Sequence, residues 1–479
     1  MSTAARPERA SSRLSVPTIA NYAVGSLGTG GYATLPGLVL TYFLTDNLGV
    51  AALAAGLIVT AAKVWDVVID PLIGAASDRQ FARTGSRRGF MLIGAFTLPL
   101  FFALTFAVPP AWGPVAGAVC VLLAFLGTAT SFSLFQVPYV ALPAELTRSY
   151  DERTRLLGWR VVVLTAAILL FGAGGPMLRR ATGDQVSGYL LMGIVAGVVI
   201  GIGMLIATRT ADAAASASLT PARLHSADES AGNPRDLVRT MQSRGLRDQY
   251  LTGFRALRRS LPFRALLGTF LLQALATGTM LAGAQYVATW VLRDEAAVEL
   301  LFIALVAPAL LATPGWTAIA HRIGKERAFL GATILYLVAA ASITAAVWTP
   351  GTWIYASVAL AGIAYAGLQS LPMAMLPDVI SHDEHTTGPG QAGTFTGIWT
   401  AGETVGFALG ATVVALMLAA TGYLSSIAGE NTVQPEAAVT AIVLSFSILP
   451  AALMAVSLIP LARYRLRRSD FQSAPVAPA

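Results

Sequence analysis

This 479-residue sequence predicts an all-α membrane protein of twelve transmembrane helices in two six-helix halves, with both termini cytoplasmic. Three observations carry that reading. Only 12% of the residues are charged and 55% are apolar, whereas soluble domains carry roughly 25% charged residues. The apolar residues also gather into stretches of about twenty or more, the length a helix needs to cross a hydrocarbon core of ~30 Å. Finally, one long polar connection divides those stretches six and six, and the two sets share motifs at matching positions. The first two observations alone exclude a water-soluble enzyme.

The spans run, in order, over 18–43, 51–76, 90–108, 113–142, 158–178 and 186–208, then 264–291, 297–320, 328–348, 351–377, 394–420 and 437–462. The first begins too late, and is too long and Gly-rich, for a cleaved signal peptide. The halves are therefore 18–208 and 264–462, with tails at 1–17 and 463–479 and a linker at 209–263. Orientation follows from the placement of Arg and Lys near span ends. Twenty-seven of the 32 basic residues fall on the side of the termini, ten of them arginines between 209 and 264. The opposite side holds Arg179, Arg180 and Arg293, while Lys63 and Arg160 lie inside or at the end of spans. The pI near 9.7 is thus a matter of topology and membrane lipids, not of nucleic acid, and places the protein in the plasma (inner) membrane. Cys120 is the single cysteine, which leaves no disulfide or cysteine metal cage. The histidines (225, 321, 382 and 385) offer only the i, i+3 spacing of His382 and His385. No cofactor beyond a coupling ion, H⁺ or Na⁺, is expected, and the chain is read as a monomer.

The linker opens with a small, polar run of disordered composition, ADAAASASLTPARLHSADESAGNP. Its second part, 235–259, sets Leu246, Tyr250, Phe254 and Leu257 at helical spacing among arginines. Two readings fit: a basic amphipathic helix on the anionic inner leaflet, or a solvated linker helix. The halves repeat each other. Span 2 ends Pro71…Asp78–Arg79 and span 8 ends Pro314…His321–Arg322 at the same spacing, each followed by a short Gly-and-basic loop. Pro138 and Pro143 of span 4 recur as Pro372 and Pro377 of span 10. Two repeated six-helix halves are the signature of the major facilitator fold.

A charge at the centre of a membrane helix costs roughly 2.5–3.5 kcal/mol on the insertion scale, so function is sought first among such residues. Span 2 reads KVWDVVIDP over 63–71, setting Asp66 and Asp70 at i, i+4 on one helical face. Two acids there repel unless a cation lies between them or one carries a proton, as a cation site requires; for Asp70 the plainer reading is a salt bridge between halves. Lys63, one turn before Asp66, stands where it neutralises part of the pair. Arg160, at the start of span 5, either binds an anionic or polyhydroxyl ligand or anchors the inner interface. Glu403, in span 11, is either part of the cavity or a buried proton carrier. Ser133, Gln136, Gln273, Gln285 and Gln369 also lie in spans, facing water or bonding neighbouring helices. At the inner face Asp78, Arg79, Arg87 and Arg88, with Asp378 and Arg322 of the second half, suit a conformational latch. Topology-setting charge alone accounts for the arginines but not for Asp78.

Five ordered segments carry a family resemblance: YFLTDNLG (42–49), KVWDVVIDPLIGAASDR (63–79), QVPYVALPAELT (136–147), ERTRLLGWR (152–160) and MLPDVISHDEHTTGPGQAGTFTGIW (375–399). Through them the chain resembles the glycoside–pentoside–hexuronide:cation symporters, the melibiose-permease-like branch of the major facilitator superfamily, over essentially all of 18–463. The resemblance implies that Asp66 and Asp70 are the paired cation-binding acids, assisted by the Ser133 hydroxyl. It implies a sugar-binding role for Arg160 and places Lys63 beside the cation site. Departures are equally specific. Gly30 and Gln136 stand where the family has sugar-binding acids, and Ile69 where an asparagine lies between the cation acids. Thr404 stands at the place of a span-11 lysine linking the two sites, with Glu403 just before it.

Together these residues predict a cation-coupled symporter working by alternating access, with protons favoured over sodium because Ile69 supplies no amide ligand. The expected cation ligands are Asp66, Asp70 and Ser133; the expected solute contacts are Lys63, Gln136, Arg160, Glu403 and Thr404. The solute is a small organic molecule, glycoside-like or amphipathic like a lysolipid. The amphipathic reading rests on the missing acids and on open space around Gly30 in the segment 25–37; the alternative is that these glycines allow close helix packing. No P-loop, GxSxG elbow or metal motif is present, so ATP-driven pumping and soluble-type catalysis lack a carrier. Two other classes remain: a lipid or drug exporter or flippase-like facilitator on the same fold, and a non-transporting receptor.

Overall fold

The computed structural model describes residues 13–147, 149–218, 259–387, 392–430, 432–464 and 466. The first half comprises α1 (Val16–Val24), α2 (Ser26–Asp46), α3 (Ala52–Thr84), α4 (Arg88–Phe106), α5 (Pro114–Leu146), α6 (Tyr150–Arg180) and α7 (Gln185–Ser218). The second comprises α8 (Leu261–Tyr286), α9 (Ala297–Ile323), α10 (Lys325–Ser342), α11 (Ile354–Thr387), α12 (Ala392–Ala420), α13 (Glu436–Phe446) and α14 (Ile448–Ala462). Local chemistry sets the ends. The Ser15, Ser149 and Ser260 hydroxyls accept from the backbone N–H of Thr18, Glu152 and Phe263 and cap α1, α6 and α8. Gly85, at φ 71°, takes the left-handed conformation that ends α3.

Among the described residues, eleven helical segments are long and apolar enough to cross a membrane. The first expected span is the exception. It is two helices, α1 and α2, interrupted at Gly25, and α2 is rich in Gly and Thr. The last expected span is also broken, between α13 and α14 at Ser447. Pro450, lacking an N–H, cannot bond the carbonyl one turn back at Phe446, and the helix restarts there. Several helices outrun the expected spans. The 33 residues of α5 make a rod of about 50 Å, longer than a hydrocarbon core of ~30 Å.

The halves meet through α3 on α12, α2 on α8 and α6 on α9. Bonds between them gather at the end opposite the two termini, here called distal. Thr60 Oγ1 meets Thr412 Oγ1 at 2.5 Å and the Ala408 carbonyl at 3.0 Å. Backbone N–H groups of Ser426 and Ala428 bond the carbonyls of Thr45 and Asn47. Arg179 pairs with Glu295 at 3.1 Å, and Arg180 with Glu299. At the proximal end, three ion pairs each lie within one half: Arg87–Asp78 and Arg87–Glu145, both 2.7 Å, and Lys325–Asp378, 2.6 Å. The expected amphipathic segment 235–259 lies outside the described residues except Arg259, which pairs with Asp383 at 2.5 Å.

The glycines of α1 and α2 are a correction to the sequence reading. Gly30 does not border open space. A Cβ there would lie 2.7 Å from the Ala167 Cβ and 3.2 Å from the Ile168 nitrogen and Leu164 carbonyl oxygen of α6. Gly25 meets Tyr139 and Ala207 as closely, and Gly31 meets Ile200. These glycines let α1–α2 seat directly on α6 and α7, as small residues do between membrane helices. Gly30→Val is therefore expected to destabilise the fold by about 1–3 kcal/mol through overpacking. A lowered midpoint in thermal unfolding of the purified protein checks this, and an unchanged midpoint refutes it.

Candidate functional site

The helical period of α3 brings Lys63, Asp66 and Asp70 to one face, turned inward on the first half. Asp66 is only 6% exposed. Its Oδ2 accepts from the Tyr32 hydroxyl of α2 at 2.9 Å and from Lys63 Nζ at 3.3 Å. The Lys63 ammonium also lies 3.7 Å from the centroid of the Tyr32 ring, a cation–π contact that holds it against Asp66. Tyr32 is fixed in turn by stacking on Phe132 of α5, centroids 4.1 Å apart.

The other edge of the pair is bare. Asp66 Oδ1, Asp70 Oδ1 and Ser133 Oγ are all buried and make no hydrogen bond of good geometry, Ser133 facing the Asp70 carboxylate in a looser contact. Buried polar oxygens are almost always satisfied, and three orphans from two facing helices, two of them carboxylate oxygens, form a group that can hold a cation or a proton. Hard oxygen ligands suit such an ion. Ile69 adds no oxygen, and Lys63 is held on the opposite oxygen of Asp66.

Next to this cluster is a second group. Gln136 Oε1 accepts from the Thr29 hydroxyl at 2.9 Å. Arg160 of α6 lies over the Tyr139 ring, 5.5 Å from its centroid, and its buried Nε has no partner. Tyr139 is locked by donating to the Tyr22 carbonyl at 2.7 Å and by stacking on the Tyr22 ring. Both groups draw on the same two helices: α2 supplies Thr29 and Tyr32, and α5 supplies Ser133 and Gln136, each pair one turn apart.

The structure thus brings Lys63, Asp66, Asp70 and Ser133 together, with Gln136 and Arg160 beside them. Glu403 and Thr404 are on α12 of the other half, where Tyr365 of α11 lies within electrostatic reach of Glu403. Gln273 has a structural task, donating to Thr333 and Ser457 inside the second half. The latch residues divide. Arg87 gathers Asp78, Glu145 and Ser77, and Arg88 pairs with Asp212. Asp378 pairs with Lys325, and Arg79 and Arg322 are exposed. The turn at Gly324, between α9 and α10, sets Lys325 against α11. Tyr32, Thr29 and Tyr139 were not expected from sequence: one aromatic or threonine among many in a buried helix carries no marker.

A buried acid pair with orphaned oxygens, in a bundle of two repeated helical halves, defines a secondary transporter of the major facilitator class. Solved structures agree on the fold: a proton-dependent oligopeptide transporter superposes with a TM-score of 0.62 at 14% identity, covering 94% of this chain and 98% of that one. The xylose transporter XylE of Escherichia coli gives 0.58 at 12% identity, covering 94% and 99%. The model of the MFS/sugar transport protein family matches residues 21–468. The chain belongs to that family, the glycoside–pentoside–hexuronide:cation symporters, whose members are membrane transporters and not enzymes. Relatives along nearly the whole length include an uncharacterized symporter of Synechocystis sp., 25% identical over 90% of each chain. Another is the glucuronide carrier protein homolog of Escherichia coli K12, 25% identical over 96% of this chain and 94% of that one.

Proposed function

We propose that this protein is a proton-coupled symporter that carries an acidic, glycoside-like solute into the cell across the plasma membrane. In this reading the proximal end is cytoplasmic, supported by the arginine asymmetry, and α1–α2 is the first of twelve spans. The observation that carries the reading is the set of three orphaned buried oxygens on Asp66, Asp70 and Ser133. Three oxygens and an apolar Ile69 suit a proton better than a sodium ion, which needs a fuller oxygen shell.

The Arg160 guanidinium, planar and stacked on Tyr139, is suited to a carboxylate or another oxyanion, and Gln136 to a neighbouring hydroxyl. The glucuronide carrier homolog among the relatives supports an acidic sugar over a lysolipid, and so does the closely packed Gly30. Ion and solute sites share the same turns of α2 and α5, so occupancy of one reshapes the other over a single helical turn. The test is uptake into proteoliposomes under an imposed pH or sodium gradient, with thermal-shift binding of a hexuronide, an uncharged glycoside and a lysophospholipid. Uptake driven by sodium and indifferent to pH refutes proton coupling. Stabilisation by the lysophospholipid alone refutes the acidic glycoside.

A further inference from the structure

Asp46, at the distal end of α2, takes no part in the mechanism above, yet it is buried where the halves meet. It is 6% exposed. Its Oδ1 accepts from the Tyr423 hydroxyl of the second half at 2.5 Å, and its Oδ2 from the Thr45 hydroxyl at 2.5 Å. Tyr423 accepts in turn from Trp290 Nε1 at 2.8 Å, and Thr45 meets the Tyr286 hydroxyl at 2.7 Å. Among the described residues no Lys, Arg or His is ion-paired with Asp46. The groups that face it are Tyr42 on its own helix, Tyr189 of α7, Tyr286 of α8, Trp290 and Glu295 beyond α8, and Tyr423 beyond α12. The nearby cation, Arg179, is held by Glu295 and Tyr189.

Closing the halves over an ionised Asp46 strips its water and offers hydroxyl donors but no opposite charge. Burying an uncompensated charge is costly, and a proton removes that cost. We propose that Asp46 is a second proton site, at the outer seam, whose protonation permits the outer face to close. Opening the seam hydrates the carboxyl and lets it ionise, so a high external pH holds the outer face open and a low one closes it. The inference rests on the orientation argued above but not on the role of Asp66 and Asp70.

The experiment places a cysteine at Leu281, which packs across the seam on Gly37, in a Cys120→Ser background in right-side-out vesicles. Labelling by a membrane-impermeant maleimide is normalised to a cysteine at exposed Thr349. Normalised labelling is expected to rise with external pH by no more than about tenfold per unit, the limit for one proton. In Asp46→Asn, which mimics the protonated group, it is expected to stay low and flat. Glu295→Gln should keep the wild-type profile, and Tyr423→Phe should raise labelling at every pH while keeping its pH dependence. A flat profile without these substitutions, an unaltered slope in Asp46→Asn, or loss of the slope in Glu295→Gln or Tyr423→Phe overturns the proposal. Should Asp46→Asn fail to fold, the other variants decide. The same pH profile obtained only from inside-out vesicles would reverse the orientation and leave the proton site standing.

Discussion

In proteoliposomes with an imposed cation gradient, Asp66→Asn is expected to abolish uphill accumulation of solute while downhill exchange continues. Asparagine has nearly the same shape and can still accept from Tyr32, so the packing of α2 on α3 is kept. What disappears is the charge facing both Lys63 and the bare oxygens of Asp70 and Ser133. Removing one partner of a buried charge pair costs about 3–5 kcal/mol, so cation affinity is expected to fall by roughly two to four orders of magnitude. Solute binding, proposed to rest on Arg160 and Gln136, is expected to fall less. Undiminished accumulation in this variant would remove Asp66 from the coupling step.

Arg160→Gln separates the two sites from the other side. A hydrogen bond to a charged group contributes about 1.5–3 kcal/mol, so affinity for an acidic solute drops roughly tenfold to a hundredfold. An uncharged glycoside loses little. Arg160→Lys should not restore the acidic ligand, because an ammonium lacks the planar fork and the stacking on Tyr139. Equal losses for charged and neutral ligands, measured by titration calorimetry, would instead assign Arg160 to holding α6 in place.

The acid pair of α3 was legible in the sequence because ionisable residues in an apolar span stand out and i, i+4 spacing settles that they share a face. Lys63 was legible for the same reason. Its partner Tyr32 was not: α2 is buried on nearly every side, so no amphipathic period shows which aromatic turns toward α3. Gly30 illustrates a deeper ambiguity. A missing side chain reads identically as room for a ligand and as room for a neighbouring helix, and only the position of α6 decides between them. The long apolar stretches came through, eleven of them as membrane-length helices among the described residues, because apolar length is a strong signal. Helix ends did not, since α5 and α11 run on past the apolar stretch as helices whose polar residues hide the continuation.

The Lys63 ammonium bound to one edge of Asp66 has an electrical consequence. Without ligands, the first half carries Lys63 and Arg160 against Asp66 and Asp70 inside its spans, a formally neutral set. A monovalent cation and a singly anionic solute, loaded together, leave it neutral again. The membrane potential is worth about 2.3 kcal/mol per charge per 100 mV, yet a cation and an anion carried together give it no net translocated charge to pull on. The voltage across the membrane then does no work on transport, and accumulation is set by the chemical gradient of the coupling ion alone.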